Sequence, residues 1–390
     1  VTARDTPQLR RAALSLLGSA ARQREFAGSL SHGEWESVAI LAGLHRLWPH
    51  LHGRIERGEL VVEVPPHIVA HWRKAHREQA LVALAQRNEL FRLTEWLRER
   101  GMESVALKGS WLAWYAYPHA AERPLRDIDL LLPAGMAIAA WDALVADGFT
   151  PDEPRETDEA QARLAKHLPP LEGPAGASVE LHLRAWELAE RMDWAMPPDR
   201  TERMIASAQP ADPSDPCRYP SREAMLAHLV IHAVYSHRLD AGPLLLPDIL
   251  FCAAKEIDWP ALLEWAREDG WEEALALVLS LVDRWCSSGM VGESGVSHVP
   301  PERVLEDAEL LLVQDPRARK SAGIAMAVGE AWDDGGLAEV LRRLGERAAK
   351  LSPAKIAKRS YETARDFTSG PASEDARRAL AIGRWLEGRE

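Results

Sequence analysis

The sequence predicts an α+β fold, with one small sheet in the middle of the chain surrounded by mostly helical N- and C-terminal domains. Three observations carry this expectation. Apolar residues recur at helical spacing before about residue 100 and again after about residue 220. Between these regions, two short frames alternate polar and apolar residues with period two, the mark of a strand with one wet face. They are Arg126-Asp127-Ile128-Asp129-Leu130-Leu131-Leu132 and Ser178-Val179-Glu180-Leu181-His182-Leu183. A third run, Val105-Ala106-Leu107, ends in Lys108-Gly109-Ser110 and feeds a helix-like stretch from Trp111.

Taken in order, residues 1–72 form an N-terminal helical region. Leu9, Ala13 and Leu16 mark one amphipathic stripe, and the run from Trp35 to Leu47 marks a second. Pro65-Pro66 is a break, followed by a long helix to about Arg100. Ala83, Leu90, Leu93 and Leu97 recur along it at helical spacing, and Gly101 is a natural residue to end it. This helix leads the unit assigned to residues 73–190. Ser110 is expected to cap the helix after the glycine turn. Ala137, Ala140, Trp141, Leu144 and Val145 give the helix that returns from the Asp-x-Asp strand, ended by Gly148. Segment 151–178 is rich in Pro, Gly, Glu and Asp and reads as a long connection, either a lid or a surface insert. Residues 191–290 form a helical domain entered through a proline-rich linker, with helices at Met225–Leu239, Leu246–Ala254, Trp259–Glu268 and Trp271–Cys286. Segment 289–300 reads as a loop. Residues 291–390 form a mostly helical extension, more basic near Lys350, Lys355, Lys358 and Arg359.

The chemistry is concentrated in the period-two frames. On a strand, Asp127 and Asp129 point the same way, about 7 Å apart. Glu180 joins them if its strand lies alongside. Three carboxylates on one sheet face repel each other unless a cation sits among them, and Mg²⁺ takes oxygen ligands of this kind. The glycine turn at Gly109 offers backbone N–H groups to a phosphate. Period two points Arg126 to the opposite face from Asp127. His182 shares the face of Glu180. It either serves a metal-bound water or an acceptor proton, or hydrogen-bonds one of the acids and orients it, the reading preferred. His228 and His232 lie four apart on one helix. That spacing suits zinc, but with no third ligand at a fitting distance a buried or partner-bonded pair is favoured.

The order strand, Gly-Ser turn, helix, Asp-x-Asp strand, helix and Glu strand resembles the nucleotidyltransferase superfamily with the polymerase-beta-like palm. More narrowly, Leu107-Lys108-Gly109, the Arg-x-x-Arg-Asp-Ile-Asp run from Arg123 to Asp129, and Glu180-Leu181-His182 look like a bacterial nucleotidyltransferase family. Its members often sit in peptide natural-product gene clusters. The resemblance covers roughly residues 30 to 290. It implies a small mixed palm sheet and transfer of a nucleotidyl group from a nucleoside triphosphate. Asp127 and Asp129 would bridge two Mg²⁺ (or Mn²⁺) ions, with Glu180 completing the site. Gly109 and Ser110 would hold the β- and γ-phosphates, and Lys108, Arg123 and Arg126 would neutralise them. By analogy, His232, His237, Arg238 and Asp248 would line the nucleotide cleft, although Asp248 also reads as a helix cap. Two departures stand out. Sixteen residues, 111–126, separate Ser110 from Asp127, a longer gap than usual. Lys108 stands where many members carry a small or apolar residue.

Composition bounds the function. The 390 residues, 46% of them hydrophobic, suit a folded chain of two or three domains. A formal net charge of −12 argues against a protein built mainly to grip nucleic acid. Three widely spaced cysteines show no zinc pattern and fit a reduced, cytoplasmic setting; Cys252 and Cys286 are expected in the core. No apolar run is long enough to span a membrane, and no signal peptide is visible. The expected activity is metal-dependent transfer of an NMP group to a hydroxyl or phosphate of a small molecule or modified peptide. The alternatives are toxin-like nucleotidylation of tRNA or protein, and a nucleotide-binding scaffold without turnover.

Overall fold

The computed structural model describes residues 5–174, 176–192, 194–316, 342 and 371–389. The basic stretch Lys350, Lys355, Lys358 and Arg359, and most of the expected extension 291–390, lie outside the described residues.

The fold is α+β: one five-stranded mixed sheet flanked by helices. The strands are β1 (Val105–Ala106), β2 (Ile128–Leu131), β3 (Thr150–Pro151), β4 (Leu171–Glu172) and β5 (Ser178–His182), in the order β1-β2-β5-β4-β3. β2 and β5 run parallel; the other pairs are antiparallel. The register of the parallel pair sets Asp129 opposite Glu180, with Ile128 opposite Val179 and Leu130 opposite Leu181. These four apolar side chains are buried, so a one-residue slip would drive the acids into the core.

The connection 151–178 differs from the loop expected. β3 and β4 lie in it or at its edge and extend the sheet beyond β5, and the short helix Glu159–Ala162 sits between them. Two-residue strands are too short to show a period in sequence. Segment 289–300 likewise contains a short helix, Met290–Ser294.

Helices Pro7–Ser15, Ala20–Ala27, His32–Leu44 and Trp48–Glu56 precede the long helix Pro66–Glu99. The expected boundary between residues 72 and 73 falls inside that unbroken helix. Its stripe of Ala83, Leu90, Leu93 and Leu97 is buried, and Gly101 ends it with φ +72°. The second N-terminal stripe stops at Leu44, not Leu47, because Arg46 takes a left-handed backbone with φ +58°. On the other side, helix Arg222–Ile231 passes into a π-helical turn at His232–Ser236, and helices Leu245–Cys252, Trp259–Glu268 and Glu272–Cys286 follow. Cys217 and Cys252 are buried, whereas Cys286 is half-buried.

Two buried ion pairs fasten these helices to the segment that leads into β2. Glu122, in a single 3₁₀ turn, meets Arg57 at 2.9 Å and His50 at 3.2 Å, both from the N-terminal region. Burial pushes the Glu122 carboxyl up, but hydrogen bonds from His50 and Arg57 outweigh it and hold it below its usual range. The carboxylate fits there because Gly53 has no side chain: a Cβ would lie 2.3 Å from the Glu122 Cδ. One residue on, Arg123 grips Asp248 through two hydrogen bonds of 2.6 and 2.9 Å.

Removing one partner of a buried pair strands the other charge. Glu122→Ala is therefore expected to lower the unfolding free energy by about 3 kcal/mol, read from urea denaturation. A loss within experimental error would mean that the Arg57 contact is exchanged for water at no cost.

Candidate active site

β1 is followed not by a glycine in the left-handed region but by Lys108 at φ +44°, ψ −114°, an uncommon conformation for a residue with a side chain. The short helix starts at Gly109, so Ser110 is not its cap. Gly109 is needed for a different reason: a Cβ there would sit 2.3 Å from the Leu125 Cδ2. The turn is thereby pressed against the segment leading into β2. The Ser110 N–H is directed at the Leu107 carbonyl at 3.3 Å, and its side chain is buried.

Beside this turn lies a cleft of about 300 Å³ between the sheet and the flanking helices. Asp127, Asp129 and Glu180 line it, as do Lys108, Gly109, Arg123, Arg126, His232 and Asp248. Ser110 and His182 are not among the lining residues. Arg126 joins Asp127 in the cleft, against the period-two expectation, because β2 begins only at Ile128 and strand alternation does not reach back to these residues.

At the cleft wall, ligand atoms of Asp129, Glu180 and the His182 behind them all lie within 4.8 Å of one another. The fully buried His182 ring brings its Nε2 to 2.7 Å from Asp129 Oδ1 and 3.5 Å from Glu180 Oε2. This is the geometry of the orienting reading, in which an Nε2–H donates to Asp129. Lys108 Nζ stands 3.4 Å from the other Asp129 oxygen. Burial pushes the Asp129 carboxyl up, but Lys108, His182 and Lys166 outweigh it and hold it well below the usual carboxylate range. Glu180 is also lowered: burial opposes, and His182 and His167 prevail. Asp127 goes the other way, to about 6, because burial and the charges of Asp129 and Glu180 exceed the pull of Lys108 and His182.

The remaining expected residues divide. Arg123 and Asp248 line the cleft but are spent on each other. Burial would lower the Arg123 guanidinium, and Asp248 overrides it and raises it. Asp248 is not a helix cap: it lies inside helix Leu245–Cys252, where it also accepts the Tyr117 hydroxyl at 2.7 Å. His232 and His237 pack edge to face, with ring centres 4.3 Å apart. Arg238 turns away and stacks on Trp194 at 4.2 Å. His228 and His232 stack in parallel, with centres 5.7 Å apart, and belong to no three-residue metal-capable group among the described residues. Burial, reinforced by Lys108, pushes both rings well below the usual histidine range.

Four titratable lining residues escape the sequence reading. Lys166 and His167 come from the connection before β4, and His45 and Arg46 from the turn after helix His32–Leu44. Lys166 is lowered by burial and by Lys108. Arg46 is lowered by burial and by Arg126. Arg46 and Arg126 are exposed and form no ion pair with another described residue, although Asp127 lies near enough to Arg46 to oppose that lowering. No motif marks these residues; chain topology brings them in.

The family described as "Uncharacterised nucleotidyltransferase" matches residues 31–287, more than half of the chain, and the protein belongs to that family. No curated protein and no solved structure matches the chain.

An acid raised on folding binds its proton more tightly in the folded state. That advantage is complete below about pH 4 and is lost as the pH rises through about 6. In metal-free buffer, Asp127→Asn is therefore expected to stabilise the protein at pH 7–8 by up to about 3 kcal/mol. The gain should fade towards pH 4. Denaturation midpoints across this range test it, and a pH-independent difference would contradict the repulsion assigned to Asp127.

Proposed function

We propose that this family member transfers a nucleotidyl group from a nucleoside triphosphate to a hydroxyl or phosphate acceptor, using Mg²⁺ or Mn²⁺ held by Asp127, Asp129 and Glu180. The observation that carries the reading is the in-register pairing of Asp129 with Glu180, beside the Gly109 turn and inside one cleft. The donor set fits a hard divalent cation: carboxylate oxygens of Asp129 and Glu180 lie within 4.8 Å of each other, and Asp127, outside that close group, lines the same cleft and is raised by burial and by their charges. Such a cation, when bound, would draw charge from the triphosphate and lower the pKa of an acceptor oxygen.

The chain's own groups then have separable tasks. His182 fixes the Asp129 carboxylate through its Nε2–H, which explains its place behind the cleft wall. Lys108 neutralises Asp129 from 3.4 Å and stands within the same cleft, from where its ammonium would also serve the triphosphate. Gly109 lets phosphate oxygens approach the backbone, with Ser110 supporting the turn from behind. Arg46 and Arg126, which line the same cleft, supply positive charge to the triphosphate. Arg123 with Asp248 holds the wall of the cleft and leaves it to His232 and His237 to face a base or sugar. In the transfer, the acceptor oxygen bonds to the α-phosphorus as the bond to the pyrophosphate oxygen breaks. A small molecule or modified peptide is the acceptor preferred, on the strength of the family resemblance and the net charge of −12, which disfavours tRNA.

Thermal unfolding with ATP, GTP, CTP and UTP, each with Mg²⁺ or Mn²⁺, tests the reading without knowledge of the acceptor. A nucleotide at about 100 times its Kd should stabilise the native state by about 2.7 kcal/mol. The shift should require the metal and vanish in Asp127→Asn/Asp129→Asn. No shift with any nucleotide would favour the scaffold alternative. Lys108→Ala is expected to weaken triphosphate binding more than monophosphate binding; equal losses would remove Lys108 from the phosphate role.

A further inference from the structure

Away from the acid-bearing strands in sequence, a second metal-capable group lies on the surface. His32 and Glu36 sit one turn apart at the start of helix His32–Leu44, and His67 is the second residue of the long helix Pro66–Glu99. Both helix starts are fixed locally. Ser31 and Glu34 form a reciprocal capping box at one, and Pro66 opens the other. The two rings aim Nε2 at the same carboxylate oxygen. His67 Nε2 is 2.6 Å and His32 Nε2 is 3.8 Å from Glu36 Oε1, and the three ligand atoms lie within 4.8 Å of one another. The ring centres are 5.6 Å apart.

We propose that His32, Glu36 and His67 bind one zinc-class transition-metal ion. Two imidazole nitrogens and one carboxylate oxygen are a borderline-soft set, suited to Zn²⁺ or Co²⁺ and poorly suited to Mg²⁺. An ion about 2.0–2.1 Å from each of three tetrahedral ligands needs them about 3.3 Å apart. The two observed separations bracket that value. Both rings are more than half exposed, so small rotations reach it, and water can fill the remaining positions. Each ring coordinates through Nε2 and carries its proton on Nδ1. The ion clips together residues 31 apart in sequence, Glu36 and His67. The segment so closed carries His45 and Arg46 into the cleft wall. The site is thus a fastener for one side of the cleft, and it stands whether or not the proposed activity does.

The cleft acids also attract transition metals, so the test starts from the full chain carrying Asp129→Asn, stripped with a chelator. Titration with Co²⁺, followed by its visible absorption, and with Zn²⁺, followed by calorimetry, is expected to show one ion bound in a tetrahedral field. Millimolar Mg²⁺ should not displace it. Adding His67→Ala, at an exposed position that leaves the fold intact by circular dichroism, should weaken binding about tenfold or more. Glu36→Gln should weaken it as well. Failure of the Asp129→Asn protein to bind Co²⁺ or Zn²⁺, or unchanged affinity after His67→Ala, would overturn the assignment.

Discussion

Parallel pairing of two short strands brings the carboxylates of Asp129 and Glu180 to one level of the sheet, with Asp127 just outside it, and the cost of holding that charge together shapes the site. Desolvating one carboxylate costs several kcal/mol, and three in one place repel each other. The protein compensates unevenly. Asp129, the most enclosed, receives a buried imidazole on one oxygen and the Lys108 ammonium on the other. Glu180 shares His182 and has His167 nearby at 3.9 Å. Asp127 is left with too little positive charge. On the proposed reading, a cation would complete the neutralisation that Asp127 lacks.

The segment leading into β2 transmits position to these acids. It is held from two directions, by Arg57 and His50 on Glu122 and by Asp248 and Tyr117 with Arg123. Leu125 presses on Gly109 from the same segment. The N-terminal helices, the glycine turn and the later helical region therefore meet on a few residues before the Asp-x-Asp strand. This explains why the gap between Ser110 and Asp127 is long: it contains the 3₁₀ turn and the anchors, not a free insert. It also gives the N-terminal region a role in the cleft, to which it contributes His45 and Arg46.

Legibility in the sequence followed the physics of each element. Asp129 and Glu180 stand out because each is a lone acid between apolar neighbours in a short strand, Asp127 because it stands two residues before Asp129, and the long helix because its stripe runs for many turns. The nearness of His182 to the acids was readable because it shares the face of Glu180. Alternation misled at Arg126, where the strand has not yet begun. The left-handed residue of the turn is Lys108, and no rule of composition would choose lysine there over the adjacent glycine. Asp248 looked like a cap because it stands just before the apolar run Ile249-Leu250-Phe251, whereas its helix already begins at Leu245. Lys166, His167 and Arg46 come from segments whose own sequence carries no period, and only the topology places them. The family match over residues 31–287 agrees with the reach of the motif resemblance, roughly residues 30 to 290.

The central claim is that the paired strands form a metal-nucleotide site, and direct ion binding tests it best. Mn²⁺ titrated into the chelator-treated protein with a nucleoside triphosphate can be followed by electron paramagnetic resonance, for wild type and for Glu180→Gln. The account predicts protein-bound Mn²⁺ that depends on nucleotide and is largely lost when the Glu180 carboxylate becomes an amide. Equal Mn²⁺ binding by the two proteins would contradict it, because the pairing of Asp129 with Glu180 would then hold no ion.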